Sequence, residues 1–131
     1  ITAINLNTGE HEWQVPLGKG PTDHPAIAHL KLGDLGSVFS DVVAEGGVLV
    51  TKSLVISYLA AKDEIGPEET GSILVAFDKT NGTKAGEVFV DQRLHGPIMS
   101  YQHDEIQYIA VAGGGRDNDA ELLVFKLGNT P

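Results

Sequence analysis

The sequence predicts an all-β protein of short antiparallel strands, on three observations. Stretches rich in Val, Ile, Leu, Phe and Tyr recur at short intervals, among them "TAINL", "EWQVPL", "SVFSDVV", "GVLVT", "SLVISYL", "SILVAF", "GEVFV", "PIMSY", "QYIAVA" and "ELLVFKL". Each is bounded by Gly, Asp, Asn or Pro, and 16 glycines supply the positive-φ positions that tight reversals need. Finally, "AINLNTGEHEW" at residues 3–13 comes round again as "AFDKTNGTKAG" at residues 76–86.

Each copy of that repeat reads as a strand, a tight reversal and a return strand. Asn5 aligns with Asp78, Thr8 with Asn81, Gly9 with Gly82 and Val15 with Val88. Asx side chains cap the amides of the turn, and glycine takes its positive φ. One copy would be a plain hairpin, whereas two copies far apart indicate a supersecondary unit used again. The apolar runs between them supply about four strands, the number in one blade of a β-propeller. The expected fold is therefore a partial β-propeller of about two to three four-stranded antiparallel blades. Residues 1–17 supply the outer strands of one blade, 38–90 a full blade, and 97–127 a last, incomplete one. The one window open to a helical reading, "AAKDEIGPEETG" at residues 60–71, carries Gly-Pro in its middle and no apolar stripe. It reads as a solvated loop, since proline inside a helix costs about 3 kcal/mol.

Bulk properties narrow the function. At 131 residues the chain is the size of one domain. No apolar run approaches the roughly 18 residues of a membrane-crossing helix. The net charge of −9 provides too little positive potential for a phosphate backbone, so no nucleic-acid partner is expected. With no cysteine, disulfides, thiolate metal sites and cysteine nucleophiles are excluded. The chain begins at Ile1 inside an alternating apolar run, and it reads as a piece of something longer.

The ordered segments resemble a known family. The "TAINLNTGE…W" turn, "EWQVPLG" at 12–18, "VVAEGGVLV" at 42–50 and "GPIMSYQHDEIQYIAVAGGG" at 96–115 are similar, in that order, to the C-terminal blades of the quinoprotein dehydrogenases. These are eight-bladed propellers that bind pyrroloquinoline quinone (PQQ), and the order matches their membrane-bound glucose dehydrogenase branch. About three quarters of the chain is covered; loops 19–36 and 59–71 are not. The resemblance implies that Trp13 stacks between neighbouring blades, a contact worth about 2–3 kcal/mol when fully buried. Gly86 holds the matching place in the second copy, so the next junction is expected to be weaker or filled differently, with Phe89 as the candidate.

The same resemblance implies oxidation of a sugar or alcohol by PQQ, with Ca²⁺ polarising the quinone and an aspartate as base. The calcium ligands and catalytic aspartate of the family lie in earlier blades, so no catalytic or metal residue is expected on this segment, and no cofactor on it alone. Its contribution would be part of the funnel wall near the propeller axis. Candidate cofactor contacts are Val38, Phe39 and Ser40, together with His95 at the matching start of the last blade. Relatives carry Gly-Gly where Phe39 and Ser40 stand, and proline is common where Asp41 stands. Glycine serves where backbone comes close to a ligand, and a phenylalanine crowds that approach. Losing the pair leaves a second reading open, a non-catalytic propeller serving as a scaffold for protein partners. Implied partners are the remaining blades and a quinone or cytochrome electron acceptor, in or facing the periplasm. Open strand edges are expected to promote self-association.

Weaker motifs read blandly. Asp117, Asn118, Asp119 and Glu121 in "GGGRDNDAE" lack the full calcium loop and read as a solvated hairpin tip. His24 and His29 have no evident third ligand for zinc. The "NGT" sequon at Asn81 matters only in a eukaryotic secreted protein.

Overall fold

A computed structural model describes residues 1–36, 47–61, 70–114 and 119–126. All regular structure among them is β, apart from one 3₁₀ turn at Ala28–Leu30. The strands are β1 (Thr2–Ile4), β2 (His11–Gln14), β3 (Leu49–Val50), β4 (Leu54–Ala60), β5 (Ser72–Asp78), β6 (Lys84–Val90), β7 (Leu94–His103), β8 (Ile106–Gly113) and β9 (Glu121–Lys126). They form three antiparallel sheets in chain order: β1-β2, then β3-β4-β5-β6, then β7-β8-β9. The all-β architecture expected from the strand spacing is what the structure shows, while the strand expected at "SVFSDVV", residues 37–43, lies outside the described residues.

The middle sheet is covered on both faces, and this explains why Val55–Ala60 of β4 are all buried, Ser57 included. Alternate residues of a strand point to opposite faces. Val55, Leu59, Ile73, Val75 and Phe77 form one cluster, against which Ile1, Trp13, Val15 and Leu17 of the first segment pack. Ile56, Tyr58, Leu74 and Val90 form another with Leu94, Ile98, Ile109 and Val111 of the third sheet. The two cores are thus the two junctions of a three-sheet stack.

Those junctions are closed differently. Between the first and second sheets, Trp13 donates its indole N–H to the Lys79 carbonyl at 2.9 Å. Its ring lies over Gly82, where an added Cβ would stand 2.7 Å from Cε3 and 2.9 Å from Cδ2. Between the second and third sheets, the buried Tyr58 donates its hydroxyl to the Gly96 carbonyl at 2.9 Å, and Ser72 Oγ accepts the Leu94 N–H at 3.0 Å. The second junction is therefore filled by a tyrosine and a serine, without an indole. Phe89 does not fill it. It pairs across from Ile73, on the face turned to the first sheet, stays 47% exposed and lies against Gly71. Strand alternation decides this: at Val90, one residue on, the side chain joins the second junction instead.

Among the described residues, one face of the third sheet is uncovered. Its inner face contributes Ile109 and Val111, while Met99, Tyr101, Leu122 and Val124 are exposed. Tyr101 sits opposite Tyr108, and their rings stack at a 5.2 Å centroid distance with 12° between planes. The hairpin joining β7 and β8 turns through Asp104 and Glu105, both at positive φ (48° and 63°), the twist-matched geometry of a two-residue loop.

Candidate functional site

Of the four candidate cofactor contacts, Val38, Phe39 and Ser40 lie outside the described residues. His95 is placed, and the structure builds a corner around it. It is the second residue of β7, half-buried, and pairs with Ala112 of β8. The ladder then breaks between His95 and Met99, where Gly96 takes φ +72° and Pro97 follows without an N–H. An added Cβ on Gly96 would meet nothing within 4 Å among the described residues.

The corner is held from two directions. Tyr58 of the second sheet holds the Gly96 carbonyl. Within the third sheet, His95 Nε2 lies 2.9 Å from the Gly114 carbonyl. A carbonyl only accepts, so Nε2 carries the hydrogen in this contact. The Gly114 N–H donates in turn to the Arg93 carbonyl at 3.0 Å. The imidazole is thereby a brace between the start of β7 and the loop after β8. Tyr58 is the residue that sequence reading missed. Its signal was a phenol in a strand that is aliphatic apart from Ser57, where a buried hydroxyl needs a partner.

Near the foot of this corner, Gln92 Nε2 donates to Glu121 at 2.7 Å, while the buried Gln92 Oε1 has no hydrogen-bond partner among the described residues. It lies beside Gly113, whose added Cβ would stand 2.7 Å from it. A hard divalent ion needs several oxygen ligands converging on one point. No group of three His, Cys, Asp or Glu converges in that way among the described residues. Asp119 and Glu121 are described, whereas Asp117 and Asn118 fall outside. His24 Nδ1 accepts the Ala26 N–H at 3.2 Å, a local turn contact. The described residues thus form a corner at His95 and Gly96, held by Tyr58 and the Gly114 carbonyl.

A separate cleft of about 270 Å³ opens between the first segment and the second sheet. Leu17, Leu59 and Phe77 line it, with Asp34 and the ion-paired Lys84 and Glu87 also on its wall.

A three-sheet stack in which one hairpin turn is written twice is the arrangement of propeller blades. The family described as "PQQ: Glucose/ethanol/alcohol dehydrogenase, beta-propeller domain" matches residues 1–109, and the chain belongs to it. Comparison with curated proteins and with solved structures gives no match.

Proposed function

We propose that this chain is the C-terminal portion of a PQQ- and Ca²⁺-dependent sugar or alcohol dehydrogenase of the periplasm. It builds blades and contributes part of the cofactor funnel wall, while the catalytic centre lies on other blades. The observation carrying this reading is the family match over residues 1–109, together with sheets that follow one another in chain order. The free face of the third sheet, with Met99, Tyr101, Leu122 and Val124, is the surface that a further blade of the same polypeptide covers. The outer edge of β9, on which the third sheet ends, accepts the missing strand. His95 and Gly96 form the funnel corner, and electrons pass to a quinone or cytochrome.

Titration of PQQ with Ca²⁺ into the 131-residue chain tests the division of labour. No submicromolar binding is expected; submicromolar binding would place the main cofactor contacts here and overturn the proposal. In a polypeptide that joins these residues to preceding blades, PQQ and Ca²⁺ should support dye reduction by a sugar or alcohol. His95→Ala should weaken PQQ binding there. A folded propeller that binds no PQQ would favour the scaffold reading.

A further inference from the structure

Asn81 and Gly82 form the one Asn-Gly pair in the sequence. This dipeptide has a characteristic reaction. The glycine backbone nitrogen loses its proton and attacks the asparagine side-chain carbonyl carbon. A new N–C bond closes a five-membered succinimide, and the C–N bond of the side-chain amide breaks with loss of ammonia. Water then opens one of the two imide carbonyls, leaving aspartate or isoaspartate. Water is the sole co-reactant and no electron changes hands. Glycine makes the attack easy because no Cβ hinders its nitrogen.

The fold holds each part of this reaction back. The Gly82 N–H, which must be lost, donates to the Asp78 carbonyl at 2.9 Å. The Asn81 side-chain carbonyl, which must turn, accepts the Thr83 N–H at 2.8 Å. Gly82 sits at φ +73°, buried beneath the Trp13 ring, and Val15 Cγ1 would stand 3.0 Å from an added Cβ. Asn81 itself is exposed, so water reaches the site without hindrance. The restraint lies in the turn and its tryptophan lid.

We propose that Asn81 is a modification site, a latent succinimide held shut by the seating of Trp13 on Gly82. While the first and second sheets stay together the residue is silent. When the junction opens, the peptide unit of Gly82 is free to rotate and Asn81 converts. Isoaspartate adds a methylene to the backbone of the turn and moves the carbonyl that accepts the Thr83 N–H into the main chain, so Gly82 no longer returns beneath the indole. Conversion to isoaspartate, but not to aspartate, therefore prevents the two sheets from seating again. The matching turn of the first copy has Thr8-Gly9 and has no such chemistry.

Mass spectrometry of the peptide carrying Asn81, after incubation of the whole protein in mildly alkaline buffer, reads the reaction as a gain of one mass unit. Folded protein should convert at least about tenfold more slowly than the same protein in denaturant. Trp13→Phe keeps an aromatic ring but loses the bond to Lys79, and it should convert several-fold faster than the parent. Where that variant does not fold, Val15→Ala takes its place. Asn81→Gln should give no product at this position. Equal rates in folded and denatured protein would overturn the proposal, as would a folded Trp13→Phe or Val15→Ala that converts no faster than the parent.

Discussion

The two hairpin turns have the same backbone and different fates. Gly9 N–H donates to the Asn5 carbonyl at 2.7 Å, and Gly82 N–H to the Asp78 carbonyl at 2.9 Å. Asn5 N–H reaches the Glu10 carbonyl at 2.8 Å, and Asp78 N–H the Thr83 carbonyl at 2.7 Å. Each turn opens on an Asx oxygen that accepts an amide two residues on, from Asn7 in one and Thr80 in the other. Both glycines lie in the left-handed region, at φ +76° and +73°. Even the register slips match, between Ala3 and Ile4 in one ladder and between Ala76 and Phe77 in the other. The difference is what lies on top: among the described residues nothing comes within 4 Å of an added Cβ at Gly9, while Trp13 and Val15 crowd the one at Gly82. One motif therefore serves as a free tip in the first copy and as a seat for the neighbouring sheet in the second.

Gly82→Ala tests that contrast most severely. The left-handed backbone alone penalises a side chain by about 1–2 kcal/mol. Overpacking against the indole adds about 1–3 more, for a loss of about 2–5 kcal/mol in denaturant unfolding. Trp13→Ala removes the lid from the other side and should cost about 2–3 kcal/mol. Gly9→Ala should cost just the backbone share, about 1–2 kcal/mol. Equal losses at Gly9 and Gly82 would show that Trp13 contributes nothing at the seat.

The second junction sharpens the comparison. Tyr58→Phe keeps the ring and leaves the Gly96 carbonyl without its phenol donor, which should cost about 1 kcal/mol. Trp13 is the single tryptophan, so its fluorescence reports the first junction alone. It should be unmoved by Tyr58→Phe if the two junctions are independent.

Acid should distinguish the turns by the smallest effect. The Thr80 hydroxyl and then the Thr80 amide donate to the Asp78 carboxylate and hold its pKa below the ordinary value against the opposing push of desolvation, with a smaller contribution from the Asn81 amide. A carboxyl depressed in the folded state stabilises it above the unfolded pKa, and that contribution is lost as pH falls through the lower folded one. Trp13 fluorescence should therefore change below the ordinary aspartate range. Asp78→Asn should abolish this while keeping the turn, since Asn5 already builds the same turn with a neutral amide.

Much of this was legible in the chain. Local rules operate within a turn, so the spacing of Asx, Thr or Asn, and Gly predicted both hairpins, and alternating apolar runs predicted sheets. The order of motifs resembled the family to which the chain belongs. Phe89 shows where reading failed: a one-residue difference in register sends a side chain to the opposite face, and nothing local to "GEVFV" records which face meets which sheet. His95 was singled out for its place beside Gly-Pro, but its bond to Gly114 depends on the loop that returns after β8.

The sequence by itself determined the described strands, the two equivalent turns and the family, because hydrogen bonds two to five residues apart and a period of two are written in neighbouring residues. The tertiary structure alone decided that Gly82 and not Gly9 carries the tryptophan, and that Tyr58 closes the second junction. Those contacts join residues far apart in the chain, and they exist only once the sheets are stacked and the faces that meet are chosen.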